Sequence, residues 1–138
     1  MANKKIKVMI LDGISEPVIT EITDSLDEYY KIIGCRVIEM PERKIGGKRY
    51  WIICDEEFLL TESQSPENIS SICYRDGKCA EIILGKIIIV KPGRGGKCAS
   101  LTDEDIEHIR ENIGVPTKVY NYFSKICICG GQTLRHDY

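Results

Sequence analysis

One apolar segment, Ala80 to Val90, constrains the fold of this 138-residue chain more than any other. It is rich in isoleucine and ends in the run Ile87-Ile88-Ile89-Val90. Because β-branched side chains pack well on a pleated sheet, the segment predicts β-strand. Gly85-Lys86 interrupts it, which leaves three interpretations open: a tight hairpin, a bulge or one bent strand.

Further segments have the residue pattern of strands. In chain order they are Lys5–Leu11, Pro17–Thr23, Cys35–Met40 and Tyr50–Cys54. Asp12-Gly13 predicts a turn that joins the first two in a hairpin. The polar segment from Thr61 to Ser71 predicts a surface loop.

Two short helices are indicated by their start and stop signals. Ser25 with Glu28 has the form of a capping box, and Gly34 suits the residue after the last turn. Thr102 suits the cap of the second helix, which begins with three carboxylates and ends at Gly114. The order of elements predicts a single α+β domain, a mostly antiparallel sheet with two helices packed on one face.

The segment after residue 114 has apolar and aromatic residues but no clear period. We therefore predict an α+β domain at residues 1–114 and a C-terminal extension at 115–138. The apolar surface exceeds what one small sheet needs, so we expect a homo-oligomer with the extension at the interface. The contact residues expected there are Tyr120, Tyr122, Phe123 and Ile126.

Composition excludes several classes of protein. The formal net charge of −2 argues against generic nucleic-acid binding, and 43% hydrophobic residues are ordinary for a soluble globular protein. The N-terminus lacks the pattern of a signal peptide, and no segment has the length of a membrane span, so we expect a cytoplasmic protein. Seven cysteines, an odd number, are then expected to be reduced. The pair Cys127 and Cys129 lacks the further ligands of a zinc site, so no metal is expected.

Two basic, glycine-rich segments stand out as candidate anion sites. The first is KIGGKR at residues 44–49, and the second is KPGRGGK at residues 91–97. Glycine allows backbone N–H groups to approach a phosphate, while Lys and Arg supply charge; the alternative is that both are ordinary turns. An aromatic ring beside the first segment could stack on a base. The predicted ligand-binding residues are Lys44, Lys48, Arg49, Tyr50, Trp51, Arg94, Gly95, Gly96 and Lys97.

No catalytic arrangement is evident. The chain has only two histidines, His108 and His136, and neither is placed beside a nucleophile by the sequence. The acidic run Asp55-Glu56-Glu57 is most simply a surface turn. We therefore expect a protein that is not an enzyme, with no cofactor.

Several motifs resemble a small domain family of unknown function that is common in phages and mobile elements of Gram-positive bacteria. They are the helix end IIG at residues 32–34, the turn ICDEE at 53–57 and the helix start SLTDEDIE at 100–107. The resemblance covers about residues 5–114. It implies a phage-type origin and supplies no catalytic residue.

Three functions are compatible with this sequence. The first is an anti-defence protein that sequesters a nucleotide-derived immune signal, such as a cyclic ADP-ribose isomer or a cyclic oligonucleotide, in the cytoplasm of the bacterial host. The second is a protein–protein inhibitor of a host defence nuclease or CRISPR effector, which binds through an acidic surface. The third is a replication or conjugation accessory protein.

Overall fold

The computed structural model describes residues 4–56, 67–114, 118–122 and 125–138. Two α-helices are found in these residues, α1 (Leu26–Ile33) and α2 (Asp103–Arg110), and a short 3-10 turn at Arg94–Gly96. The strands in the same residues are β1 (Lys5–Leu11), β2 (Val18–Thr23), β3 (Ile38–Glu39), β4 (Glu42–Ile45), β5 (Lys48–Asp55), β6 (Glu67–Arg75), β7 (Lys78–Leu84), β8 (Ile87–Pro92), β9 (Cys98–Ala99), β10 (Lys118–Tyr122) and β11 (Lys125–Asp137).

The strands form one mixed sheet in the order β2-β1-β8-β5-β4-β11-β6-β7. Outside this order, β3 pairs with β5, β9 with β8 and β10 with β11. The pair β6–β11 is parallel and the other pairs are antiparallel. Although β7 and β8 are consecutive in the chain, they lie in different parts of the sheet. Gly85, at φ 79°, therefore separates two strands that do not pair with each other.

The two helices lie on opposite faces of the sheet. Ile89 of β8 belongs to an apolar cluster with Ile109 of α2, whereas its neighbour Ile88 belongs to a second cluster with Tyr29 of α1. We refer to these as the α2 face and the α1 face. Residues 87 to 90 are all fully buried, because both faces of β8 are covered.

The predicted α+β architecture, with two helices packed on one face of the sheet, is therefore wrong, because the structure is rich in strands and the helices lie on opposite faces. Strands make up most of the described structure, and the helices are short. The isoleucine run indicates the observed arrangement, because four apolar residues without alternation are typical of a strand that is covered on both faces.

The predicted caps of both helices are present in the structure. The Ser25 side chain accepts a hydrogen bond from the Glu28 N–H, and Gly34 adopts the left-handed conformation at φ 76°. Thr102 and Asp105 form a reciprocal capping box at the start of α2. The predicted hairpin of β1 and β2 is also confirmed.

The loop predicted for residues 61–71 is wrong in its second half. Residues 67–71 belong to β6, where Ser70 and Ser71 are fully buried and the Ser70 hydroxyl donates to the Gly85 carbonyl. Residues 61–66 lie outside the described part of the chain. The segment after residue 114 contributes β11, which lies between β4 and β6. Phe123 and the side chain of Tyr122 are likewise outside the described residues.

Candidate ligand-binding site

Strand register places four polar side chains in one row across four strands. Tyr74 of β6 pairs with Asp137 of β11, and Asp137 in turn pairs with Lys44 of β4. Lys44 pairs with Arg49 of β5. Directly paired residues project from the same face of a sheet, so all four lie on one side. Trp51 follows Arg49 by two residues and packs in the apolar cluster of α1, which identifies this side as the α1 face.

The second glycine segment turns at the same end of the sheet. Strand β8 runs antiparallel to β5, so the end of β8 lies beside the start of β5, and β9 folds back onto β8. The Gly93 N–H donates to the Lys97 carbonyl at 2.9 Å, and a Cβ on Gly93 would lie only 2.4 Å from that oxygen. Glycine is therefore required at position 93 by close packing.

Within this turn the backbone has the conformation of an anion-binding nest. A short 3-10 turn begins at Arg94, and Gly95 follows in the left-handed conformation at φ 63° and ψ 32°, as does Gly96 at φ 77°. This alternation points successive N–H groups toward one concavity. Among the described residues, the N–H groups of Arg94 and Gly95 donate to no backbone carbonyl. The side chains of Arg94 and Lys97 are exposed beside them.

Lysines on the α2 face are used differently. The acidic first turn of α2 lies above the ends of β1, β5 and β8, and each carboxylate contacts one lysine. The ion pairs are Lys7–Asp103 (3.7 Å), Lys48–Glu104 (3.7 Å) and Lys91–Asp105 (3.1 Å). Lys48 is thus on the opposite face from Lys44 and Arg49, although all three come from the same hairpin.

Tyr50 is also on the α2 face. Its side chain is 1% exposed, and its hydroxyl donates to Asp105 at 3.1 Å, while burial raises the pKa of the hydroxyl. Burial alone would raise the pKa of Asp105, but hydrogen bonds from Thr102, Lys91 and Tyr50 lower it to about 2. The Tyr50 ring has no free side for a ligand in this arrangement, whereas Trp51 is partly exposed.

The sheet therefore divides the predicted residues into two sets. Lys48 and Tyr50 form contacts with α2. The remaining ones are on the α1 face or in the β8–β9 turn: Lys44, Arg49, Trp51, Arg94, Gly95, Gly96 and Lys97. Sequence reasoning missed Tyr74 and Asp137, because they join the row through strands that are distant in the chain.

The histidines have structural partners. His108 Nε2 is 2.7 Å from the Ile45 carbonyl, and its ring stacks near Tyr50 with centroids 6.4 Å apart. His136 Nε2 is 3.0 Å from the Ser71 hydroxyl, and burial lowers the pKa of the imidazole to about 3. Both residues of this pair are buried, so the Ser71 hydroxyl is inaccessible to an external substrate. Within the described ranges, no three His, Cys, Asp or Glu side chains are grouped closely enough to hold a metal ion.

Comparison with known proteins identifies a family for most of the chain. No helix in the described residues is long and apolar enough to cross a membrane. No curated protein and no solved structure matches the chain. Residues 6–114, which run from β1 to a point four residues past α2, match a family model described as a domain of unknown function, DUF3846. The chain belongs to the DUF3846 family.

Proposed function

We propose that this protein binds a phosphorylated, nucleotide-like small molecule on the α1 face and holds it without catalysis. The observation that supports this most directly is the register that places Lys44 and Arg49 side by side on that face. The nest at Arg94 and Gly95 lies at the same end of the sheet. Cationic side chains and unpaired N–H groups are the two elements that proteins use to hold phosphate.

These cations are available to a ligand. Within the described part of the chain Arg49 forms one ion pair, with Glu42 at 3.7 Å, and both side chains are about half exposed. Exposed pairs of this kind contribute roughly 0–1 kcal/mol, so exchanging Glu42 for a phosphate costs little. In contrast, Lys91 forms an ion pair with the buried carboxylate of Asp105, so it is less available to bind a phosphate.

An aromatic ring adjoins the cations. Trp51 lies on the same face as Arg49, two residues further along β5. A base stacked on an aromatic side chain gains about 1–3 kcal/mol, whichever base it is. Trp51 is therefore the stacking residue in this proposal, and Tyr50 supports the opposite face of the strand.

Sequestration of a nucleotide-derived immune signal is the biological role that we propose for this binding. It requires tight binding and release of an unaltered ligand, which agrees with the structural roles of both histidines. The alternative of an acidic inhibitory surface is less well supported. Of the α2 carboxylates that would form it, Asp105 is buried against Lys91, and lysines beside the exposed Asp103 and Glu104 offset part of their negative charge.

Calorimetry with cyclic dinucleotides, ADP-ribose and its cyclic isomers tests the proposal. The wild type should bind at least one of them, and the ligand recovered afterwards should be chemically unchanged. The double variant Arg94→Ala/Lys97→Ala removes two charge-assisted contacts of about 1.5–3 kcal/mol each, so the Kd should rise by about 100-fold or more.

A matched control removes two positive charges elsewhere. Lys31 on α1 and Lys86 before β8 are both exposed and lie outside the proposed site. The variant Lys31→Ala/Lys86→Ala should bind as the wild type does. Equal loss in both double variants would indicate an effect of net charge, and absence of binding to the whole panel would leave the glycine segments as turns.

A further inference from the structure

A pocket of about 430 Å³ lies at the far end of the row from the β8–β9 turn. Strands β4 and β11 pair only at Lys44 and Asp137, so they diverge toward the Gly46 turn and leave a gap between them. The end of α2 spans this gap, since the Asn112 carbonyl accepts from the Arg135 N–H at 2.8 Å. Such a volume is within the range of small-molecule sites. Its lining residues are Gly46, Tyr74, Asn112, Arg135, His136 and Asp137.

Three of these side chains share the α1 face. Arg135 and Asp137 are two residues apart in β11, and Tyr74 pairs directly with Asp137. Arg135 and Asp137 are exposed, and neither forms an ion pair with another described residue. An aromatic ring is thus flanked by an uncommitted guanidinium and an uncommitted carboxylate.

This combination suits one class of ligand group. A nucleobase offers a flat surface to a tyrosine ring. Guanine also offers O6 and N7 as acceptors for Arg, and its N1–H and N2–H groups can donate to a carboxylate. A phosphate alone would be repelled by Asp137, so this end of the row is not a second phosphate site.

The length of the row limits the ligand further. Adjacent strands are ~4.8 Å apart, so the three intervals from Tyr74 to Arg49 span roughly 14 Å. Lys44 and Arg49 lie between the pocket and the β8–β9 turn, and Trp51 offers a second ring on the same face, two residues along β5 from Arg49. A mononucleotide is too short to contact both rings, whereas a dinucleotide places its phosphates between two bases.

We propose that the pocket between β4 and β11 is a guanine-binding subsite and that the ligand is a dinucleotide. Tyr74 stacks on the base, Arg135 donates to its O6 and N7, and Asp137 accepts from its N–H groups. Lys44 and Arg49 then hold the linking phosphates. This inference rests on the proposed function, because it uses the same row of cations.

Binding of the linear dinucleotides of guanosine and of adenosine, and of inorganic pyrophosphate, tests it. The wild type should prefer the guanosine dinucleotide by about tenfold or more, since one bidentate base contact contributes about 1–3 kcal/mol of discrimination. Asp137→Asn should remove most of this preference, while pyrophosphate binding should be kept or become tighter because a negative charge beside Lys44 is removed. Tyr74→Leu should weaken both dinucleotides by about tenfold or more.

A matched control and a folding check accompany these variants. Glu21 is exposed on β2 and is not a lining residue of the pocket, so Glu21→Gln changes the charge as Asp137→Asn does but at another place. It should keep the wild-type preference, and both Glu21→Gln and Asp137→Asn should unfold at the wild-type temperature because both side chains are exposed.

The outcomes separate the two proposals. In one outcome, dinucleotide binding is lost in Arg94→Ala/Lys97→Ala and yet shows no base preference; in another, the preference persists in Asp137→Asn. Either result overturns the guanine subsite and supports the phosphate site. Guanosine binding that depends on Asp137, without any effect of Arg94 or Lys97, supports the subsite and overturns the assignment of the β8–β9 turn to the phosphate site. No binding of any probe overturns both.

Discussion

Replacing Asp105 by Asn should be among the most destabilising isosteric changes in this protein. Its carboxylate is 6% exposed and accepts hydrogen bonds from the Thr102 backbone and side chain and from the Tyr50 hydroxyl, while Lys91 contacts it at 3.1 Å. It therefore joins the start of α2 to β5 and β8. Asn keeps the shape but removes the charge that Lys91 requires.

The magnitude follows from the pKa. The carboxyl pKa is lowered from 3.8 to about 2, because the hydrogen bonds from Thr102, Lys91 and Tyr50 outweigh the opposing effect of burial. At about 1.36 kcal/mol for each pKa unit, the ionised group contributes roughly 2.5 kcal/mol to the free energy of unfolding. Because the folded-state pKa is depressed, this contribution is complete above about pH 4 and is lost as the pH falls through about 2.

Urea unfolding followed by the fluorescence of Trp51, the single tryptophan, measures this quantity. At pH 7, Asp105→Asn should lower the free energy of unfolding by about 2–3 kcal/mol, and the difference from wild type should narrow below pH 4. Asp103→Asn is the matched control, since Asp103 is 97% exposed in the same helical turn, and its effect should be much smaller.

Two results would refute the reasoning. One is a loss below about 0.5 kcal/mol for Asp105→Asn at pH 7, which is within the range of ordinary surface changes. The other is a loss that stays constant from pH 7 to pH 2, because a contribution from the ionised carboxylate must disappear when the wild type is protonated.

Two further predictions concern the β8–β9 turn and assembly. Gly93→Ala should lower the free energy of unfolding by about 1–3 kcal/mol in the same urea assay, because its Cβ would meet the Lys97 carbonyl. Gly131 has open space around it, so Gly131→Ala should change the free energy of unfolding little. Light scattering should detect an oligomer. Ile126→Asp should dissociate it, because Ile126 and Val119 are exposed on one face of the β10–β11 hairpin. A monomeric wild type at micromolar concentration would contradict this prediction.

The parts of the fold that could be predicted from the sequence depend on neighbouring residues. A cap such as Ser25 and a helix stop such as Gly34 act within one turn of helix, so a short window contains the whole signal. The position of β11 depends instead on pairing with β6, where Cys129 meets Ile69 across sixty residues of chain. No local pattern specifies such a pair, so the pocket and the role of Tyr74 could not be predicted.

The division of the first glycine segment between two faces could have been predicted. Gly46 and Gly47 both have positive φ, at 57° and 89°, which is typical of a two-residue hairpin turn. Such a turn pairs Ile45 with Lys48 and Lys44 with Arg49, as observed. Because successive residues of a strand alternate between faces, this register alone separates Lys48 from Lys44 and Arg49.

The same alternation explains why one basic segment serves two purposes. Ile45 is fully buried on the α2 face, so its partner Lys48 must project there as well, where Glu104 of α2 neutralises it. Lys44 and Arg49 then project from the α1 face, where α1 covers β1, β8 and β5 but the row continues outward to β4 and β11. Cations on the α2 face stabilise the start of α2, whereas cations on the α1 face remain for a ligand. A basic motif in a hairpin is thus best judged one face at a time, since its total charge overstates what is available for binding.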